Sequence, residues 1–210
     1  MTQSIERMVE NELSAIGIPI GESCFIIGYL DLVREKDLPT YYHSMRVGLL
    51  SSKIARHLGL DEKTLLIAGL THDIGKVLIE KDILQKKGVL TEKEMEKIKG
   101  HPVYSYELLK DKYRTCAEIV LRHHKYQSNS YPKEDQGADK FSPDMRSRIE
   151  DCAKALSLAD IYDALTTRVN YRLNKDRLSK EEVKSILLKE KPYISSIITD
   201  LYAKGILGES

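Results

Sequence analysis

His72 and Asp73 stand side by side in a run (Leu65, Leu66, Ile67, Ala68, Leu70) that otherwise reads as a buried helix. No other feature constrains the fold as tightly. An imidazole and a carboxylate that both face a core must be paired or must hold a metal, because an unpaired buried charge is too costly to keep. Taken alone, the two residues are a His-Asp hydrogen bond inside a helical bundle. Their companions elsewhere in the chain decide between the two readings.

Nearly every segment with a clear period has the helical one. Residues 2–15, with Ile16 just beyond, have apolar positions at helical spacing, and Ile5, Met8, Val9 and Leu13 make a single stripe, expected to complete a core. After a break at 17–21 comes an apolar stretch over 24–33. A long helix is expected over about 41–58, with Met45, Leu49 and Ser52, or Val47, Leu50 and Ile54, facing inward. Gly59 and then Asp61 close it and open another helix near Glu62, which carries His72 and Asp73 near its end and stops at Gly75. Residues 77–90 read as irregular, with one turn around Lys81 to Leu84. Thr91 and Glu94 form a capping box for a short helix to Lys99, and Pro102 suits the first turn of the next, through Lys110. Further helices are expected over about 112–124, 143–169, 179–189 and 193–204, with 125–142 as the longest loop. No strand pattern stands out, so the fold class is all-α. Residues 1–31 read as an N-terminal helical extension packed on the core of a domain over 32–210.

Lys and Arg (33) nearly cancel Asp and Glu (32), which argues against polymeric nucleic acid or a membrane surface as partner. No apolar run is long enough to span a bilayer, and Glu6, Arg7, Glu10 and Glu12 exclude a signal peptide. Cys24, Cys116 and Cys152 are far apart and odd in number; they read as free core thiols in a reducing compartment. A soluble cytoplasmic protein is the expectation.

Of the six histidines, His57 sits at a helix end and reads as a solvated cap. His43, His72, His101, His123 and His124 lie at helix ends or on apolar faces, where each alone is more often structural. Together with Asp73 and Asp160 they supply one or two polar groups per helix, the arrangement by which a bundle builds an internal metal site. Imidazole mixed with carboxylate suits iron, manganese or zinc rather than calcium or magnesium. Seven candidate ligands exceed the needs of one ion. Two ions bridged by a carboxylate, about 3.5–4 Å apart, form a device for cleaving phosphoesters.

His43, then His72-Asp73, then Asp160 is similar to the H…HD…D signature of the HD-domain metal-dependent phosphohydrolases. Further likeness lies in 37–47 (Asp-Leu-Pro-Thr-Tyr-Tyr-His-Ser-Met-Arg-Val), 72–76 (His-Asp-Ile-Gly-Lys), Ile83-Leu84, 88–91 (Gly-Val-Leu-Thr), His101-Pro102 with Leu108-Leu109, His123-His124, Tyr131-Pro132, and 159–166 (Ala-Asp-Ile-Tyr-Asp-Ala-Leu-Thr). These resemble the HD-GYP branch, whose typical members hydrolyse cyclic di-GMP, over about residues 32–190. The resemblance implies an HD-domain helical bundle with one ion held by His43, His72, Asp73 and Asp160. A second would be held by Asp73, His101, His123 and His124. Asp73 would bridge them and act catalytically; Asp163, three residues after Asp160, would support a ligand rather than be one. Lys76 is favoured as a phosphate-holding catalytic cation over a solvated helix-end lysine. Arg168 and Tyr171 are substrate-binding candidates, although tying the long helix to its neighbour weighs more; Arg46 is open between a substrate contact and a buried ion pair.

The chain departs from the branch in places. Where the family reads HHExxDGxGYP, residues 123–132 read His-His-Lys-Tyr-Gln-Ser-Asn-Ser-Tyr-Pro, one shorter and without the acid or glycines; Ser105 replaces a usual Gly. Pro39 stands where some members have a glutamate for a third metal, so only two ions are expected. The implied activity is hydrolysis of a phosphoester of a nucleotide or cyclic nucleotide by a metal-activated hydroxide. The alternative is a catalytically weak signalling or nucleotide-binding module. The cofactors are two divalent transition metals, iron or manganese first, with zinc, nickel or cobalt as alternatives. The partner is a small phosphorylated nucleotide, and a homodimer is left open.

Overall fold

Short polar side chains set where several helices begin. Ser4 accepts a hydrogen bond from the Arg7 amide and opens α1 (Ile5–Ala15). Asp37 accepts from the Thr40 amide and opens α3 (Leu38–Leu58), with Pro39 in its first turn, and Asp61 accepts from the Thr64 amide and opens α4 (Glu62–Thr71). Between the first two runs α2 (Ile20–Lys36). The computed structural model describes residues 4–127, 129–132, 141–167 and 178–208. A 3-10 turn (Ile74–Leu78) follows α4, then the single-turn α5 (Lys81–Leu84), α6 (Glu92–Lys99), α7 (His101–Leu109) and α8 (Arg114–Arg122). The longest helix, α9 (Pro143–Thr167), precedes α10 (Lys180–Glu190), a 3-10 turn (Pro192–Ile194) and α11 (Ser195–Ala203). Among the described residues there is no strand, and the fold is all-α.

Helix α3 is the spine, packed against α1, α2, α4 and α9. Its crossing with α4 is close because Gly48 and Gly69 face each other: a Cβ on Gly69 would stand 2.7 Å from the Gly48 Cα. Only a residue without a side chain lets two backbones meet there. That crossing brings the first half of α3 against the end of α4. One hydrophobic cluster runs from Val9 and Leu13 in α1 through α3, α4, α8 and α9 to Ile198 and Leu201 in α11.

Several expectations change. The helix carrying His72 and Asp73 ends at Thr71 rather than Gly75, because Asp73 adopts φ −99°, ψ 6° and the chain tightens into the 3-10 turn. The apolar stretch over 24–33 is the middle of α2, a helix apolar on most faces, which hides its period. Helix α3 starts at Leu38, and both of its candidate stripes contribute, since Met45, Val47, Ser52 and Ile54 are all buried. Met8 is exposed while Val9 and Leu13 are buried. Cys24 is exposed, unlike Cys116 and Cys152, so it is not a core thiol. His57 is no freely solvated cap: it pairs with Asp200 on α11. The long loop and the end of the helix expected over 143–169 lie partly outside the described residues.

Candidate metal centre

His43 comes from the first half of α3, His72 ends α4, and Asp73 follows it. His101 opens α7, His123 and His124 follow α8, and Asp160 belongs to α9. Three of the histidines are fixed by one device. Nδ1 of His72 lies 2.8 Å from the Gly69 carbonyl, that of His101 2.7 Å from Ile98, and that of His123 2.5 Å from Val120. A carbonyl can only accept, so each Nδ1 carries the proton and each Nε2 keeps its lone pair. All three carbonyls sit in the last turns of α4, α6 and α8.

The lone pairs converge. Nε2 of His101 and Nε2 of His123 are 3.4 Å apart, although neither has a proton to share. Nε2 of His72 and Nδ1 of His124 are buried with no hydrogen-bond partner among the described residues. Such a set repels itself unless a cation lies among the donors. His43, His72 and Asp160 bring one donor atom each within 4.8 Å of one another, and His101, His123 and His124 do the same. Asp73 lies between the groups. Its Oδ2 is 3.5 Å from His72 Nε2 and 3.8 Å from His43 Nε2, while its Oδ1 is 3.2 Å from His101 Nε2. The donors are thus of a kind and spacing able to hold a metal ion.

The electrostatics fit side chains able to hold a metal ion. Burial pushes the imidazoles of His101, His123 and His124 down to about 3, and lowers His72 as well, so all four are neutral at physiological pH. Burial alone would raise Asp73, yet Lys76 and the surrounding histidines hold it well below the usual carboxylate range. Asp160 follows the same pattern, with His43 and His124 outweighing its burial. His43 differs. Burial opposes its charge, but hydrogen bonds to Asp160 and Asp163 raise it to about 8.

Around these groups stands a supporting layer. Asp163 accepts from His43 Nδ1 at 2.7 Å and from Arg46 through Nε at 2.6 Å and a terminal guanidinium nitrogen at 3.0 Å. Arg46 is thus an ion-pair partner. Lys76 points its Nζ to within 2.6 Å of Asp73 Oδ2. In the sequence Ser105 stands out only as a replacement for a usual Gly. Its hydroxyl accepts from the Gly75 amide and donates to the His72 carbonyl, both at 2.8 Å, and so ties the His72-Asp73 junction to α7. Gly75 makes that contact feasible, since a Cβ there would lie 2.2 Å from the His101 carbonyl oxygen. Tyr131 stacks on His124 with ring centroids 4.4 Å apart. Arg168 and Tyr171 lie outside the described residues.

A family model described as HD domain matches residues 40–165. The chain is 32% identical over 166 residues to the 3'3'-cGAMP-specific phosphodiesterase 1 of Vibrio cholerae, covering 76% of this chain and 36% of that protein. It is 29% identical over 203 residues to a cyclic di-GMP phosphodiesterase of Thermotoga maritima, covering 85% and 51%. The chain thus spans about a third to a half of the length of these curated relatives. Its fold is similar to the HD domain of phosphodiesterase PgpH from L. monocytogenes, with a TM-score of 0.54 over 84% of this chain and 85% of that one at 22% identity. Among the described residues no helix is long and apolar enough to cross a membrane.

Proposed function

The chain belongs to the HD domain family, and on that premise we propose that it is a metal-dependent phosphodiesterase acting on a cyclic dinucleotide. The two curated relatives carry phosphodiesterase names for substrates of that class. One observation carries the reading: the two oxygens of Asp73 face two different histidine groups. In this reading His43, His72, Asp73 and Asp160 hold one ion and Asp73, His101, His123 and His124 a second.

Two divalent transition metals bound there would supply Lewis acidity and lower the pKa of water toward neutrality. The residues do the rest. The carbonyls behind His72, His101 and His123 keep the imidazoles in one tautomer, so that no proton must leave before they ligate. Asp163 and Arg46 hold the His43 ring from behind. Lys76 places an ammonium beside Asp73, where it attracts a non-bridging phosphate oxygen and offsets the charge that builds up as the ester breaks.

The test is metal analysis of the purified chain, with turnover of an aryl phosphodiester and of a panel of cyclic dinucleotides after Mn(II) or Fe(II) is restored. The reading expects bound transition metal, turnover, and loss of both in Asp73→Ala. Absence of bound transition metal together with undiminished turnover in Asp73→Ala would sink it. Nucleotide binding without turnover under every metal tried would support a signalling module instead.

A further inference from the structure

Lys191, between α10 and the last 3-10 turn, has no exposed surface. A fully buried lysine is rare and needs a reason. Its Nζ donates to the carbonyl of Tyr126 at 3.1 Å and to the hydroxyl of Ser157 at 2.8 Å. Tyr126 lies two residues after His124, in the turn that follows α8; Ser157 lies one helical turn before Asp160 on α9. The hydroxyl of Tyr193 donates to that same Tyr126 carbonyl at 2.9 Å. One ammonium thus joins three parts of the chain, and two of them carry histidine or carboxylate donors of the centre. Core filling alone would favour leucine or methionine, which do not pay for desolvating a charge. The end of α8 gives the charge a purpose, because the helix dipole makes that end partially negative.

We propose that Lys191 is a positioning residue: it clamps the turn after α8 and so sets where His123 and His124 stand relative to Asp160. The inference rests on the two-ion reading given above. It expects the ion at His101, His123 and His124 to depend on Lys191, and the ion at His43, His72 and Asp160 to be indifferent to it. Ligands held even half an ångström from the productive geometry bind poorly, and losing a supporting group typically lowers metal affinity about 10–100-fold.

The experiment titrates Mn(II) into the chelator-stripped full chain, followed by calorimetry and electron paramagnetic resonance, with thermal melts as the check on folding. Wild type is expected to take two ions and give a spin-coupled pair. Lys191→Met is expected to keep one tight ion with an uncoupled spectrum and to bind the second about 10–100-fold more weakly. Tyr193→Phe removes the other donor to Tyr126 from a partly exposed side chain. It is expected to weaken the same ion roughly several-fold, as loss of one hydrogen bond does. A folded Lys191→Met with wild-type affinity for both ions, or with both weakened alike, overturns the proposal. If Lys191→Met does not fold, Tyr193→Phe decides: selective loss of the second ion supports the clamp, and unchanged binding overturns it. Wild type binding fewer than two ions is a separate failure, of the two-ion reading itself.

Discussion

Asp163 accepts the Nδ1 proton of His43 across 2.7 Å, from a position 120 residues further along the chain. The same carboxylate takes two hydrogen bonds from Arg46 and a longer one, 3.4 Å, from the Thr167 hydroxyl. Its role is to turn Nε2 of His43 toward Asp160 and Asp73, and this yields the first expected outcome.

Replacing Asp163→Asn keeps the shape and removes the charge. Metal affinity at the His43 group should fall about 10–100-fold, as it does when an anionic partner behind a ligand is lost. The melting temperature should drop only modestly, since the side chain of Arg46 is about a third exposed and can rehydrate. Calorimetric titration with Mn(II) checks this; wild-type affinity would show that the pair merely braces the fold.

Lys76→Met separates charge from ligation. The metal content should remain at two ions, because Lys76 offers no lone pair in its protonated form. Turnover should fall about 100–1,000-fold, the usual effect of losing one group that stabilises developing charge. Parallel metal analysis and steady-state kinetics test it, and a variant that turns over normally would leave Lys76 as a partner of Asp73 and nothing more.

Gly75→Ala drives a methyl group into the carbonyl of His101 and the amide of Ser105. Neither is a flexible side chain that can swing aside. The expected destabilisation is roughly 1–3 kcal/mol, with the His101 group losing its ion first. Urea denaturation and metal titration of the variant measure the two effects.

Acidity should unfold the metal-free chain. His101, His123 and His124 protonate near 3 in the folded state against an ordinary 6.5. Between those values the unfolded chain binds more protons, so stability is lost as pH falls below 6.5, by about 1 kcal/mol per pH unit for each fully shifted group. His43 runs the other way. Raised to about 8, it stabilises fully below 6.5, and that contribution fades as pH rises through 8. Urea midpoints of the chelator-stripped protein should therefore peak between these limits. A midpoint that does not change between pH 7 and pH 5 contradicts the assignment.

Much of the helical pattern could be read from residue types, because stripes such as Val9 and Leu13 and capping boxes such as Thr91 with Glu94 are local. The histidines and acids, though far apart, could be read as a motif because their types and order stand in the chain itself. What escaped was set by atoms that residue type does not announce. The carbonyls of Gly69, Ile98 and Val120 exist in any sequence, and only the fold aims imidazoles at them. Just beyond the break after Thr71 the Gly75 amide bonds Ser105 on α7, 30 residues away, a contact that no local pattern announces. Lys191, flanked by Glu190 and Pro192, looks like any surface lysine until its partners are known.

The donors of the centre enter at residue 43 and do not end until residue 160, and they reach it from α3, the α4 end, α7, the α8 end and α9. Ions gathered by so many separate helices would fasten them like rivets, and a chain that comes apart would lose every one. By mass action, each ion present at a hundred times its dissociation constant would add about 2.7 kcal/mol to the folded state. Supply of metal would then govern how long the molecule survives as well as how fast it works, and scarcity would show first as unfolding and proteolysis.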